Sequence, residues 1–134
     1  MIEIAAIDHI VLRTVDKSAM LTFYQQVLGC RIERELVTEG LTQLRAGSAL
    51  IDIVCMEGEL GRAGGKAPNN SHKQVDHFCL TIKPQPMEQL IDYLHSHKIT
   101  MGEIAQRYGA EGFGISVYIQ DPEGNVVELK NAVN

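Results

Sequence analysis

The sequence has no cluster of positive residues: 12 Lys and Arg stand against 17 Asp and Glu, for a formal charge of −5. Nucleic acid and anionic membrane surfaces are bound through basic patches, so neither is an expected partner. No apolar run approaches the roughly 20 residues of a membrane-spanning helix. The opening residues, MIEIAAIDHI, carry neither a positive n-region nor a long apolar stretch, so no secretory signal is expected and a cytoplasmic location is. Cysteine is scarce: Cys30, Cys55 and Cys79 are odd in number, far apart and form no C-x-x-C. Each sits in an apolar, strand-like run, which reads as buried, reduced thiols, not as a disulfide or a metal cluster. Tryptophan is absent, yet 45% hydrophobic and 22% charged residues exclude intrinsic disorder. A length of 134 residues suits a single domain, 1–134, large enough for a core.

What is present is one unit written twice. Ile7-Asp8-His9-Ile10-Val11-Leu12 returns as Val75-Asp76-His77-Phe78-Cys79-Leu80. Each run is followed by a helical pattern. In the first, Asp16 is placed to cap, Met20, Phe23, Tyr24, Val27 and Leu28 follow the helical spacing, and Gly29 stops it. In the second, Pro86 suits the first turn and Met87, Leu90, Ile91 and Leu94 repeat the spacing. Three strands are predicted after each helix, over Cys30–Val37, Leu41–Ala46 and Ala49–Cys55, then over Thr100–Gln106, Ile115–Gln120 and Asn125–Lys130. The expected fold is α+β, a repeated βαβββ module over 5–55 and 75–131, with the strands in a curved, cup-like mixed sheet and the helices on its outer face. The connection over 56–74, rich in Gly, Pro, Asn and Ser, reads as a loop. Its Gly65-Lys66 is not a phosphate-binding loop, because Leu60 stands where the first glycine is needed and Ala67 where Ser or Thr is.

Aligning the halves by their last strands matches Leu50-Ile51-Asp52-Ile53 with Val126-Val127-Glu128-Leu129. Each half then offers one histidine on its first strand and one carboxylate on its last. Strand residues two apart share a face, so the apolar residues of opposite parity would pack under the helices while His9, His77, Glu128 and Asp52 face the other way. Two imidazoles and a carboxylate suit a divalent ion such as Fe, Mn, Ni, Co or Zn. Either histidine alone reads first as a structural, hydrogen-bonded core residue, and Glu128 alone as an exposed edge residue. Polar groups at matched strand positions in both halves favour ligation, because such burial is costly without a purpose. Asp52, one methylene shorter, is left open as a direct ligand, a ligand through water, or a hydrogen-bonding neighbour. Arg107 reads as a clamp for a substrate carboxylate or phosphate, or as a solvated loop charge. Tyr118 reads as an inward hydroxyl or a core aromatic. His72, His95 and His97 show no partner pattern.

The segments IDHIVL, FYQQVLG, VDHFCL and SVYIQDPEGNVVELK together resemble the vicinal oxygen chelate superfamily, the glyoxalase, bleomycin-resistance and extradiol-dioxygenase group. The resemblance implies paired βαβββ modules forming a cup, one divalent metal within it, and a substrate chelating that metal through adjacent oxygens. The family's ligand pattern falls on His9, His77 and Glu128, with Asp52 where glyoxalase I-like members carry a glutamate. It implies a glyoxalase I-like lyase or isomerase in which Glu128 or Asp52 moves a proton, and a homodimer as the assembly. Tyr118 falls where ring-cleaving extradiol dioxygenases bind substrate, but their acid/base histidine has no counterpart in Gly47-Ser48-Ala49-Leu50. A drug-binding resistance protein without turnover is the third reading.

Overall fold

The computed structural model describes residues 1–67 and 73–133, and His72 lies outside them. The chain forms two compact units, Met1–Asn69 and Asn70–Asn134. Each is a βαβββ module, so the expected α+β class is what the chain adopts.

In the first unit β1 (His9–Thr14) leads into α1 (Lys17–Thr22), then β2 (Arg31–Leu36), β3 (Leu41–Ala46) and β4 (Ala49–Cys55), in sheet order β1-β4-β3-β2. β1 runs parallel to β4, and the other neighbours are antiparallel. The Asp16 carboxylate caps α1 by accepting from the Ala19 N–H at 3.0 Å. The helix then widens into a π-helical turn over Phe23–Val27, a departure from the regular helix that the spacing implies. Adjacent Phe23 and Tyr24 are both buried there, their rings edge to face at 5.0 Å. Gly29, at φ 73°, ends the turn in a conformation an L side chain adopts poorly. Met20, Tyr24, Leu44, Ile51 and Ile53 are fully or almost fully buried, each contributing on the order of 1.5–3 kcal/mol of transfer free energy.

The connector is not wholly loop: α2 (Glu59–Ala63) forms within it. Arg13, on β1, ties this segment down by donating to the carbonyls of Gly61 (3.0 Å), Gly65 (2.6 Å) and Lys66 (3.2 Å).

The second unit repeats the plan with β5 (Phe78–Ile82), α3 (Met87–Ser96), β6 (Ile104–Gly109), β7 (Gly112–Gln120) and β8 (Val126–Asn131), in order β5-β8-β7-β6. Leu90 and Leu94 of α3 are buried, as the helical spacing requires, along with Val117, Ile119, Val127 and Leu129. The starts of two strands depart furthest from expectation. β6 begins at Ile104 instead of Thr100, and β7 at Gly112 instead of Ile115. A tight hairpin accounts for the early start of β7 and carries β6 on to Gly109: Gly109 pairs with Gly112, whose φ of 93° lets the chain reverse across Ala110-Glu111. That hairpin also moves Arg107 out of the expected loop and into β6, where only 17% of its side chain is exposed. The cysteines are corrected too: Cys30 is buried, Cys55 half-buried and Cys79 exposed. Cys79 pairs with Glu128 and so lies on that acid's face of the sheet, opposite the face of Val127 and Leu129.

Candidate metal centre

Strand register fixes which side chains share a face. In the first unit His9 pairs with Leu50 and Val11 with Asp52, so His9 and Asp52 lie on the same face of the sheet. In the second, Cys79 pairs with Glu128 and Tyr118 with Glu128. His77 immediately precedes β5, one residue short of the strand placement read from sequence, and keeps the parity of Cys79. The internal match of Asp52 with Glu128 is thereby a match of strand position.

Both histidines are held alike. Nδ1 of His9 lies 2.7 Å from Asp8 Oδ1, and Nδ1 of His77 lies 2.6 Å from Asp76 Oδ2. A carboxylate only accepts, so each Nδ1 carries a proton, and in the neutral ring Nε2 is then the nitrogen that can act as a ligand. The bond from Asp8 holds His9 above the usual imidazole pKa, and the Asp52 charge adds to this against partial desolvation.

His77 and Glu128 are brought together: Nε2 of His77 is 3.2 Å from Glu128 Oε2. Glu128 is buried, and its other oxygen, Oε1, accepts from Ser116 Oγ at 2.6 Å. Ser116 Oγ in turn accepts from Arg107 Nη1 at 3.0 Å, and the same nitrogen donates to the Ser116 carbonyl at 2.9 Å. Arg107 also stacks on Tyr118, its Cζ 4.3 Å from the ring centroid, and the Tyr118 ring meets His77 edge on at 5.1 Å. Every member of this network belongs to the second unit. Ser116 is the participant that sequence reading missed. A serine within an apolar strand carries no signal of its own, although Gly114 opposite Arg107 in the register hints that a side chain crosses there.

Asp52 is 97% shielded from solvent, and Oδ2 accepts from Gln43 Nε2 at 3.1 Å. Its Oδ1 is buried and has no hydrogen-bond partner among the described residues. Leaving a carboxylate oxygen in that state costs on the order of 1–3 kcal/mol, so the site is built for something besides stability. No three His, Cys, Asp or Glu side chains already gather as a complete ligand set among the described residues. Taken unit by unit, the donor types suit a divalent cation: each offers a carboxylate-held imidazole and a buried carboxylate on the neighbouring strand. His95 and His97 are exposed, and His97 packs on Tyr93 at 4.5 Å, so neither joins this set.

Cys79 reports on the charge at Glu128. Desolvation, then the Glu128 carboxylate, push its pKa up to about 11, with Lys130 opposing. At pH 8 a thiol of that pKa is only about one part in a thousand thiolate. Iodoacetamide is therefore expected to label Cys79 slowly in the metal-free protein despite its exposure. Glu128→Gln is expected to speed that labelling, roughly tenfold for each pKa unit recovered, as followed by peptide mass spectrometry. Unchanged labelling would show that Glu128 is not charged beside it.

Within the second unit a cavity of about 450 Å³ is lined by Thr100, Met101, Gly102, Tyr118, Gln120 and Val126, among others. Tyr118 connects its wall to the His77–Glu128 pair. The volume falls in the range of small-molecule sites.

Two βαβββ modules, each with a carboxylate-held histidine at the start of its first strand and an acid on the parallel neighbour, define the class of fold. Residues 6–129 match the family model for the glyoxalase/bleomycin resistance protein/dioxygenase superfamily, and the chain belongs to that superfamily. Among curated relatives it is 29% identical to virulence protein STM3117 of Salmonella typhimurium over 129 residues, covering 95% of this chain and 84% of the relative. The crystal structure of that protein superposes with a TM-score of 0.73 at 27% identity, over 98% of this chain and 100% of the other. An integron cassette protein of Vibrio cholerae aligns with a TM-score of 0.75, 23% identity and 99% coverage of both chains. Lactoylglutathione lyase of Agrobacterium tumefaciens aligns with a TM-score of 0.64 and 21% identity, over 96% and 94%. At that identity the last two likenesses speak for the fold.

Proposed function

We propose that the protein is a metal-dependent lyase or isomerase of glyoxalase type, acting on a small substrate with oxygens on adjacent carbons. The observation that carries this reading is Asp52, a buried carboxylate with one oxygen unpartnered, on the same face as His9. A proton-transfer step needs such a lone pair, close to the reacting carbon and shielded from water.

His9, His77 and Glu128 are the residues that would hold the metal. Once bound, the ion supplies positive charge that polarises the substrate's oxygens and acidifies the adjacent C–H. Asp52 takes the proton from that carbon and returns it to its neighbour, so the substrate is isomerised without net change in atoms or electrons. Its burial keeps the abstracted proton from exchanging freely with solvent. The Tyr118 hydroxyl orients the substrate, whose remaining atoms occupy the cavity beside that ring. Arg107 already donates to three protein oxygens, so an anionic substrate group would use only its remaining N–H bonds. A cytoplasmic homodimer is the proposed working form.

The test is metal analysis followed by turnover of a hemithioacetal in deuterated water. Stoichiometric nickel, zinc, cobalt or manganese with isomerised product supports the reading. Iron with oxygen uptake on catechols would replace it with ring cleavage. Absence of stoichiometric metal, with small-molecule binding unaffected by chelators, would leave a sequestering protein instead.

A further inference from the structure

The two carboxylates are held very differently, and the difference lies in hydrogen-bond direction. A guanidinium only donates. Arg107 Nη1 donates to Ser116 Oγ, so the single proton of that hydroxyl is committed elsewhere, and Glu128 Oε1 at 2.6 Å receives it. Arg107 cannot easily turn away. The carbonyls of Ser116 and Glu103 accept from it at 2.9 and 3.2 Å, and the Tyr118 ring lies beneath its guanidinium. Ser116 is fully buried, which removes water as a competing partner. One oxygen of Glu128 is thus fixed by a one-way relay, and the other is left 3.2 Å from His77 Nε2. Among the described residues Asp52 has no such support, only Gln43 Nε2 on one oxygen. At the strand position matching Ser116, beside the acid on β3, the first unit carries Leu41, which pairs with Val54 as Ser116 pairs with Lys130.

We propose that Arg107 and Ser116 are positioning residues that orient Glu128 as a fixed metal ligand, which reserves the unsupported Asp52 for proton transfer. This rests on the metal reading above. A carboxylate locked before the metal arrives loses little rotational freedom on binding, so the relay raises affinity by pre-organisation. Ser116→Ala removes the last link, and Arg107→Met removes the donor that commits the hydroxyl.

The experiment measures cobalt(II) affinity by chelator competition, with the visible cobalt spectrum as a second readout, on folded protein verified by thermal melting. Ser116→Ala and Arg107→Met are expected to weaken binding about 10- to 100-fold. In a Glu128→Ala background neither is expected to weaken it further, because the relay has nothing left to orient. Ser116→Thr, which keeps the hydroxyl, is expected to recover most of the loss. Equal affinity in Ser116→Ala and the unaltered protein, or the same loss with and without Glu128, would overturn the relay while leaving the metal reading intact. No cobalt binding by the unaltered protein overturns both.

Discussion

Alanine in place of His77 is expected to strip the purified protein of stoichiometric metal, with affinity falling by more than about 100-fold. Outer partners of metal ligands alone account for about 10- to 100-fold, and His77 is proposed as a direct ligand whose Nε2 lies beside Glu128. His9→Ala is expected to act similarly, whereas His95→Ala, at an exposed position of α3, leaves metal content unchanged. Elemental analysis with chelator competition makes the comparison. Metal content equal in all four proteins would remove both histidines from the site. Acid adds an independent handle, because an imidazole binds metal only when neutral. Asp8 raises the pKa of His9, so protons compete from a higher pH than an ordinary imidazole allows. Metal affinity is therefore expected to begin falling at a higher pH than in a variant whose His9 lacks the Asp8 partner, as chelator competition across a pH series would show.

The second large effect is a trade between stability and turnover at Asp52. Its buried, unpartnered oxygen burdens the folded state. Asp52→Leu, which keeps the branched shape with two bulkier methyl groups, removes that burden and leaves Gln43, which is only half-buried, able to reach water. The metal-free variant is expected to be about 1–2 kcal/mol more stable, with a melting temperature higher by about 3–8 °C. Turnover is expected to fall by two orders of magnitude or more, since general-base catalysis is worth about 10²–10⁴-fold. Metal binding through Glu128 is expected to persist. A variant less stable than the parent, or one that retains activity, would exclude Asp52 as a base held at a cost.

Much of this was legible because duplication doubles a weak signal. One histidine in an apolar strand says little, but Asp8-His9 and Asp76-His77 at matched positions say the same thing twice, and the register carries the match through to Asp52 and Glu128. β3 and β4 were readable to the residue, since their alternation is regular and turns close both ends. β6 was not. The apolar Ile99-Thr100-Met101 mimics a strand, and the reversal at Ala110-Glu111 depends on Gly112 taking a positive φ that spacing does not reveal. The same hairpin brings Arg107 to Ser116, nine residues apart, so no local pattern exposes the relay. The π-helical turn escaped for a related reason: Phe23 and Tyr24 fit an ordinary helical stripe, and only the backbone shows the widening.

The Arg13 tether gives the chain a natural seam. Three carbonyls of the connector answer to one side chain on β1, so the polypeptide through Lys66 belongs mechanically to the first sheet although it follows that sheet's last strand. Anyone dividing the gene into two separately expressed pieces should cut after Lys66, where both sheets and the tether stay whole. A cut ahead of Glu59 would hand the second piece a tail whose anchor remains on the first.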